Sequence, residues 1–198
     1  MLGRKVKQPR RQPGTRGVIL VGFMGAGKSN VGRALAEQLG WTFEDLDDRI
    51  ERREGRKIPE IFRESGEVGF RRAEHTALKE VMGELQAAPE KIVALGGGAF
   101  VQKENARLVE AGAASTVFLD AEVDELWRRC RQQAEQQGME RPLRGNWERF
   151  GELYEARRRH YLKASFRQET GGKTIQEIAT EVIEALGLGR RREERRRE

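Results

Sequence analysis

Apolar residues along this chain fall in two rhythms. Short continuous runs such as Gly17-Val18-Ile19-Leu20-Val21-Gly22 have the composition of a strand buried on both faces. Ile92-Val93-Ala94-Leu95 and Thr116-Val117-Phe118-Leu119 read the same way, and Trp41 to Leu46 reads as a further short strand. Between them the period lengthens to that of a helix. Val31, Ala34, Leu35 and Leu39 form one stripe, and helices are predicted over 48–53, 67–86, 103–111, 123–136 and 147–163. In the last predicted helix Ile175, Ile178, Ala179, Val182, Ile183 and Leu186 share a face. Thr174 with Glu177 makes a capping box at its start, and Gly187 can end it. A fifth strand is expected before that helix, but 164–170 is polar and a poor strand. Strands alternating with helices imply right-handed crossovers and an α/β fold, a parallel sheet covered by helices on both faces.

The strongest chemical signal sits where the first strand runs into the first helix. Gly22-Phe23-Met24-Gly25-Ala26-Gly27-Lys28-Ser29 fits the phosphate-binding pattern G-x-x-x-x-G-K-[ST] in the strand–turn–helix context that pattern requires. Glycines let successive backbone N–H groups turn toward phosphate oxygens, and the helix start adds its positive dipole end. Lys28 reaches the outer phosphates, the Ser29 hydroxyl can ligate Mg²⁺, and Asn30 can donate a hydrogen bond where a second hydroxyl residue is common. Asp45-Leu46-Asp47 closes the second strand. Alternate residues of an extended chain share a side, so both acids should face the phosphate loop, one for Mg²⁺ and one to accept a hydroxyl proton. Acids after a strand also cap the next helix, a role Asp48 could fill alone.

Other features are ambiguous on their own. Arg71 and Glu74 are three apart on a predicted helix, which is usually a solvated surface pair. Gly96-Gly97-Gly98 at a strand end allows another group close to the backbone. The glycine- and arginine-bearing connection 138–146 could be a lid that brings Arg141 over the phosphates. Arg157, Arg158 and Arg159 could equally form a solvated basic face.

Composition narrows the field. The chain has 198 residues, 37% of them hydrophobic, which suits one ordinary domain with appendages. The longest apolar stretch, Val18 to Met24, falls far short of the roughly 20 residues of a membrane span. No apolar region follows the basic start, so no secretory signal is expected. The single cysteine, Cys130, excludes an internal disulfide and a multi-cysteine metal site, and His75 and His160 form no ligand pair. The net charge of +6 hints at nucleic acid, but the ends carry it. Residues 1–16 hold +6 and residues 186–198 hold +3, which leaves −3 for 17–185. The ends read as basic, disordered tails rather than as a nucleic-acid or membrane site.

Taken together, these motifs resemble the shikimate kinase family of nucleoside-monophosphate-kinase-like, P-loop enzymes of aromatic amino acid biosynthesis. The resemblance covers about 17–186. It rests on Gly22 to Ser29, Asp45-x-Asp47, and Ile61-Phe62 followed by Gly66-Glu67. It continues through Phe70-Arg71-Arg72-x-Glu74, Leu95-Gly96-Gly97-Gly98-Ala99, Arg141-Pro142-Leu143 and Arg157-x-x-x-Tyr161. What it implies is a three-layer fold with a five-stranded parallel sheet in order 2-3-1-4-5, a domain over 17–189 and a lid over about 121–146, with tails at 1–16 and 190–198. It implies transfer of the ATP γ-phosphoryl to the 3-hydroxyl of shikimate. Lys28, Asp47 and Arg141 would be catalytic. Gly25, Ala26, Gly27, Lys28, Ser29, Asn30 and Arg141 would bind ATP, and Ser29 and Asp45 would hold Mg²⁺. Asp47, Arg71, Glu74, Gly97, Gly98 and Arg157 would bind shikimate, with Glu74 holding Arg71. The region of Thr170-Gly171-Gly172 would border the adenine. A cytoplasmic monomer is expected, with shikimate and ATP as partners and no nucleic acid or membrane. Lys57, where a serine is common, departs from the family pattern. The alternatives are a kinase of another polyol acid such as gluconate, which need not keep Arg71, Glu74 and Arg157 together, and a nucleotide-binding regulatory module without catalysis.

Overall fold

The computed structural model describes residues 17–88, 90–137 and 146–189. Five strands make one sheet: β1 (Gly17–Val21), β2 (Thr42–Asp45), β3 (Lys91–Ala94), β4 (Ser115–Asp120) and β5 (Phe166–Glu169), in spatial order β2-β3-β1-β4-β5. Every pairing is parallel, with Gly17 opposite Lys91 and Val18 opposite Ser115. β1 is central and every one of its residues is buried, which explains why its sequence is apolar throughout rather than alternating. The expected order and parallel architecture are both present.

The connecting helices are α1 (Lys28–Leu39), α2 (Leu46–Glu54), α3 (Ile58–Ala87), α4 (Lys103–Glu110), α5 (Val123–Gln137), α6 (Trp147–Tyr161) and α7 (Ile175–Leu186). α7 starts on the expected Thr174–Glu177 capping box and ends at Gly187 in the left-handed conformation. It packs on α1, while α2 and α4 pack on α3.

Two expectations need correction. The helix after β2 begins at Leu46, and its cap is Asp45, whose side chain accepts from the Asp47 N–H at 3.0 Å; Asp48 does not cap it. β2 therefore ends at Asp45, and Asp47 lies on the first helical turn rather than on the strand. The helix expected from residue 67 is preceded by further turns from Ile58, missed because Pro59 and the polar run Arg63-Glu64-Ser65 hide its period. Gly66, at φ 65 and ψ −175, breaks α3 between the two parts. Lys57 precedes that helix, and the Glu60 carboxylate accepts its N–H at 2.8 Å, but a lysine side chain has no acceptor to complete the box. The fifth strand expected before α7 is present as Phe166–Glu169, despite the polarity of 164–170. It is an edge strand, and Arg167 pairs with Asp120 while buried Gln168 bonds Glu181, so its polar groups are satisfied. Of the span 121–146 expected as a lid, residues 123–137 are helix α5; Arg141 and its neighbours, like the two basic ends, lie outside the described residues.

Candidate active site

The phosphate loop crosses from β1 to α1 at the C-terminal edge of the sheet. Gly25 shows why the loop needs glycine. Its φ is 79°, and an added Cβ would stand 2.7 Å from the Leu126 carbonyl oxygen and 2.8 Å from Cys130 Sγ. The loop is thus pressed against α5 as well as curled on itself. Gly27 caps α1 in the left-handed conformation, so Ala26 to Ser29 lead straight into the helix N-terminus. Lys28 Nζ donates to the carbonyls of Gly22 at 2.9 Å and Phe23 at 3.0 Å, which holds the ammonium over its own loop.

The two acids arrive from β2 and α2. Ser29 Oγ donates to Asp45 Oδ2 at 2.6 Å, and the other Asp45 oxygen takes the Asp47 N–H. One carboxylate thus ties the phosphate loop to the turn that carries Asp47. Asp47 is half-buried, and its carboxyl is pushed up to about 6, chiefly by burial and then by Asp45, against the opposing pull of Lys28. Burial likewise lowers the Lys28 ammonium, although Asp47 and Asp45 both favour its charge. Desolvation wins for both groups, which leaves an acid able to change protonation near neutral pH beside the lysine.

Opposite the phosphate loop, the glycine run after β3 is where the acceptor-side residues converge. A Cβ added at Gly96 would lie 2.6 Å from Asp47 Oδ1, at Gly97 3.7 Å from Arg157 Nη1, and at Gly98 2.7 Å from Arg71 Nη1. Three consecutive residues without side chains make room for three functional side chains from α2, α6 and α3. The groups that approach this backbone are the chain's own.

Arg71 is no surface pair. Glu74 is 1% exposed and accepts from Arg71 Nη1 with both oxygens, at 3.1 and 3.0 Å, while Glu67 takes Arg71 Nε at 3.4 Å. Burial raises the Glu74 carboxyl, and the Arg71 guanidinium beside it opposes that shift. Arg157 rides the buried stripe of α6. Phe150, Tyr154 and Tyr161 are buried, and Arg157 completes the 4-3-4 spacing among them. It turns inward with its guanidinium 5.9 Å from the Phe23 ring centroid, within cation–π range. Arg158 turns away to the buried Asp120 at 3.0 Å, and Arg159 is exposed. Tyr161 donates to the Gly97 carbonyl, and burial pushes its phenol up to about 12, so it stays a donor.

The structure brings together Gly25, Ala26, Gly27, Lys28, Ser29, Asp45 and Asp47 on one side, and Gly97, Gly98, Arg71, Glu74 and Arg157 on the other. Asn30 also lines the cleft. Tyr161, Asp120 and Arg129 are given no role by the sequence reading. The spacing Phe150-Tyr154-Arg157-Tyr161 singles out Arg157 among three consecutive arginines and gives Tyr161 a job. Asp120 closes β4 and gathers Tyr154, Arg158 and Arg167. Arg129, from α5, donates to Thr170 Oγ1 and O at 3.2 and 3.0 Å, which fixes the loop before Gly171; no local pattern announces that contact.

Ser29 and Asp45 offer hard oxygen donors side by side, the donor type Mg²⁺ takes when substrate phosphates and water complete its shell. Among the described residues no cluster of three His, Cys, Asp or Glu side chains forms a protein-only metal cage.

Comparison with known proteins gives one family. The family model described as shikimate kinase matches residues 24–187. A shikimate kinase of Persephonella marina is 38% identical over 169 residues, covering 85% of this chain and 97% of that protein. Among solved structures, a shikimate kinase from Acinetobacter baumannii in complex with shikimate matches with a TM-score of 0.72 at 32% identity, over 86% of this chain and 92% of that one. A gluconokinase from Sinorhizobium meliloti matches with a TM-score of 0.51 at 20% identity, over 90% and 94%, a likeness of fold alone.

Proposed function

The chain belongs to the shikimate kinase family, and from that premise we propose that it transfers the γ-phosphoryl group of ATP to the 3-hydroxyl of shikimate, giving ADP and shikimate 3-phosphate for aromatic amino acid (chorismate) biosynthesis. The observation that carries the reading is the Gly96-Gly97-Gly98 floor, against which Asp47, Arg157 and Arg71 meet within one cleft. A phosphate loop alone fits any nucleotide-using kinase. Two arginines side by side with a proton-accepting acid next to them along the same glycine floor fit a carboxylated polyol in particular.

The roles follow from placement. Arg71, steadied by Glu74, and Arg157 hold the shikimate carboxylate. The backbone at Gly97 and Gly98 supports the ring. Asp47 orients the attacking hydroxyl and takes its proton as the oxygen–phosphorus bond forms. The bond from the γ-phosphorus to the bridging oxygen breaks, and its electron pair stays on ADP. Lys28 and the loop N–H groups from Gly25 to Asn30 stabilise the charge on the transferring phosphoryl. Arg141 would add a positive charge from the segment outside the described residues. Mg²⁺ would be held by Ser29 and, through Asp45, close to the phosphates, where it offsets their charge. A monomer is proposed as the acting unit. The acidic balance of 17–185 argues against nucleic acid as a partner. No helix among the described residues is long and apolar enough to cross a membrane, and the cytoplasm is the proposed location.

Phosphorus NMR of the product from shikimate and Mg·ATP tests this directly. A single ester at the 3-hydroxyl is expected; an ester at another hydroxyl, or no ester, overturns the assignment of Asp47 to that position.

A further inference from the structure

Helix α5 runs beside the phosphate loop and touches the nucleotide side of the cleft three times within little more than one turn. Arg129, held by Glu125 at 2.8 Å, reaches Thr170. Cys130 is buried against Gly25. Gln133, three residues on and therefore on the same face as Cys130, lines the cleft together with Gly25, Gly27, Lys28 and Ser29. Gln133 is half-buried, and among the described residues its amide has no hydrogen-bond partner. A primary amide offers two N–H donors and no charge. Its neighbours in the cleft are the loop groups that face phosphate oxygens.

We infer that Gln133 is a phosphate-contacting residue that donates its side-chain amide to a β- or γ-phosphate oxygen of the nucleotide seated in the Gly22–Ser29 loop. The inference rests on the proposed nucleotide site and adds a donor on the side of the loop opposite Asp45 and Asp47. α5 thereby serves as one wall of the phosphate site through side chains at two successive same-face positions. Cys130 supports the loop backbone, and Gln133 reaches the ligand.

The test uses the full chain and its variants Gln133→Ala and Gln133→Glu, which keep good helix formers in α5. Titration calorimetry with ATP, ADP, AMP and shikimate gives the affinities. Gln133→Ala should weaken ATP about three- to tenfold, the worth of one hydrogen bond, and ADP likewise where the contacted oxygen is on the β-phosphate. Gln133→Glu should weaken them further, because it sets a carboxylate against the phosphates. AMP, which lacks the contacted groups, and shikimate should keep their affinities in both variants. A structural role in α5 would instead lower AMP and ATP binding together. Equal losses for AMP and ATP, or unchanged ATP affinity in both variants, overturn the inference while a wild-type chain that binds ATP leaves the proposed function standing. A wild-type chain that fails to bind ATP overturns both.

Discussion

The two walls of the cleft are built by different means. The nucleotide wall is mostly backbone, eight consecutive residues from Gly22 to Ser29 whose glycines and helix start do the work. The acceptor wall is mostly side chains, with Asp47, Arg71, Glu74 and Arg157 brought from α2, α3 and α6 to a glycine floor after β3. A backbone site is local and, apart from Lys28 and Ser29, depends little on its non-glycine side chains. A side-chain site depends on the packing of several elements, and each member can be removed singly. Substitutions on the two walls should therefore separate ATP binding from shikimate binding.

The largest effect is expected at the seam between the walls. Asp47→Asn keeps the shape but removes the proton acceptor, and turnover should fall by about 10²–10⁴-fold with ATP affinity nearly unchanged. The pH profile carries the same signature. Asp47 sits at about 6, so kcat/KM for the wild type should fall as pH drops through that value and the carboxylate takes up its proton. Stability runs the other way. A carboxyl raised by folding above its ordinary 3.8 favours the native state at low pH, and that contribution is lost as pH rises through about 6. Asp47→Asn should therefore raise stability at pH 7 by about 1–3 kcal/mol, measured by denaturant titration, and the gain should vanish near pH 4. A variant less stable than wild type at pH 7 would mean that Asp47 is not strained by burial.

Arg71→Lys comes next. Lysine keeps the charge but loses the planar fork that Glu74 holds, so shikimate affinity should drop about 10–100-fold while ATP affinity is kept. Equal losses of both ligands would remove Arg71 from the carboxylate clamp. Gly25→Ala probes the other wall. The left-handed φ and the crowding by Leu126 O and Cys130 Sγ force the loop to move, at about 1–3 kcal/mol of strain. ATP affinity should fall about tenfold with shikimate affinity spared. A titration that shows the reverse would break the division into two walls.

The same division explains what could be read from sequence. The phosphate loop was legible because its parts are contiguous and each glycine has a local reason. The sheet order followed from the resemblance, and the alternation of strands and helices already required a parallel sheet. Strand alternation puts Asp45 and Asp47 on the cleft side, but only Asp45 belongs to the strand. Asp45 ends the strand and caps α2, and Asp47 reaches the cleft from a helical turn. Arg71 and Glu74 looked like a surface pair because burial of a helix face depends on what packs over it, which three residues cannot state. Arg157 was recoverable from its spacing with Phe150, Tyr154 and Tyr161. The Arg129–Thr170 contact spans 41 residues, and no local pattern encodes it.

The smallest effect is expected from the basic ends, which belong to neither wall. A chain trimmed to residues 17–189 should keep wild-type turnover within about twofold, since every described site residue lies inside it. A large loss of turnover with the fold intact would assign one end a place in the site.

The central claim is that the acceptor wall selects shikimate. Coupled detection of ADP release, run side by side with shikimate, with gluconate and with no acceptor, measures it most directly. The account predicts Mg²⁺-dependent ADP release with shikimate and only background with the other two. Release with gluconate but not with shikimate would contradict it.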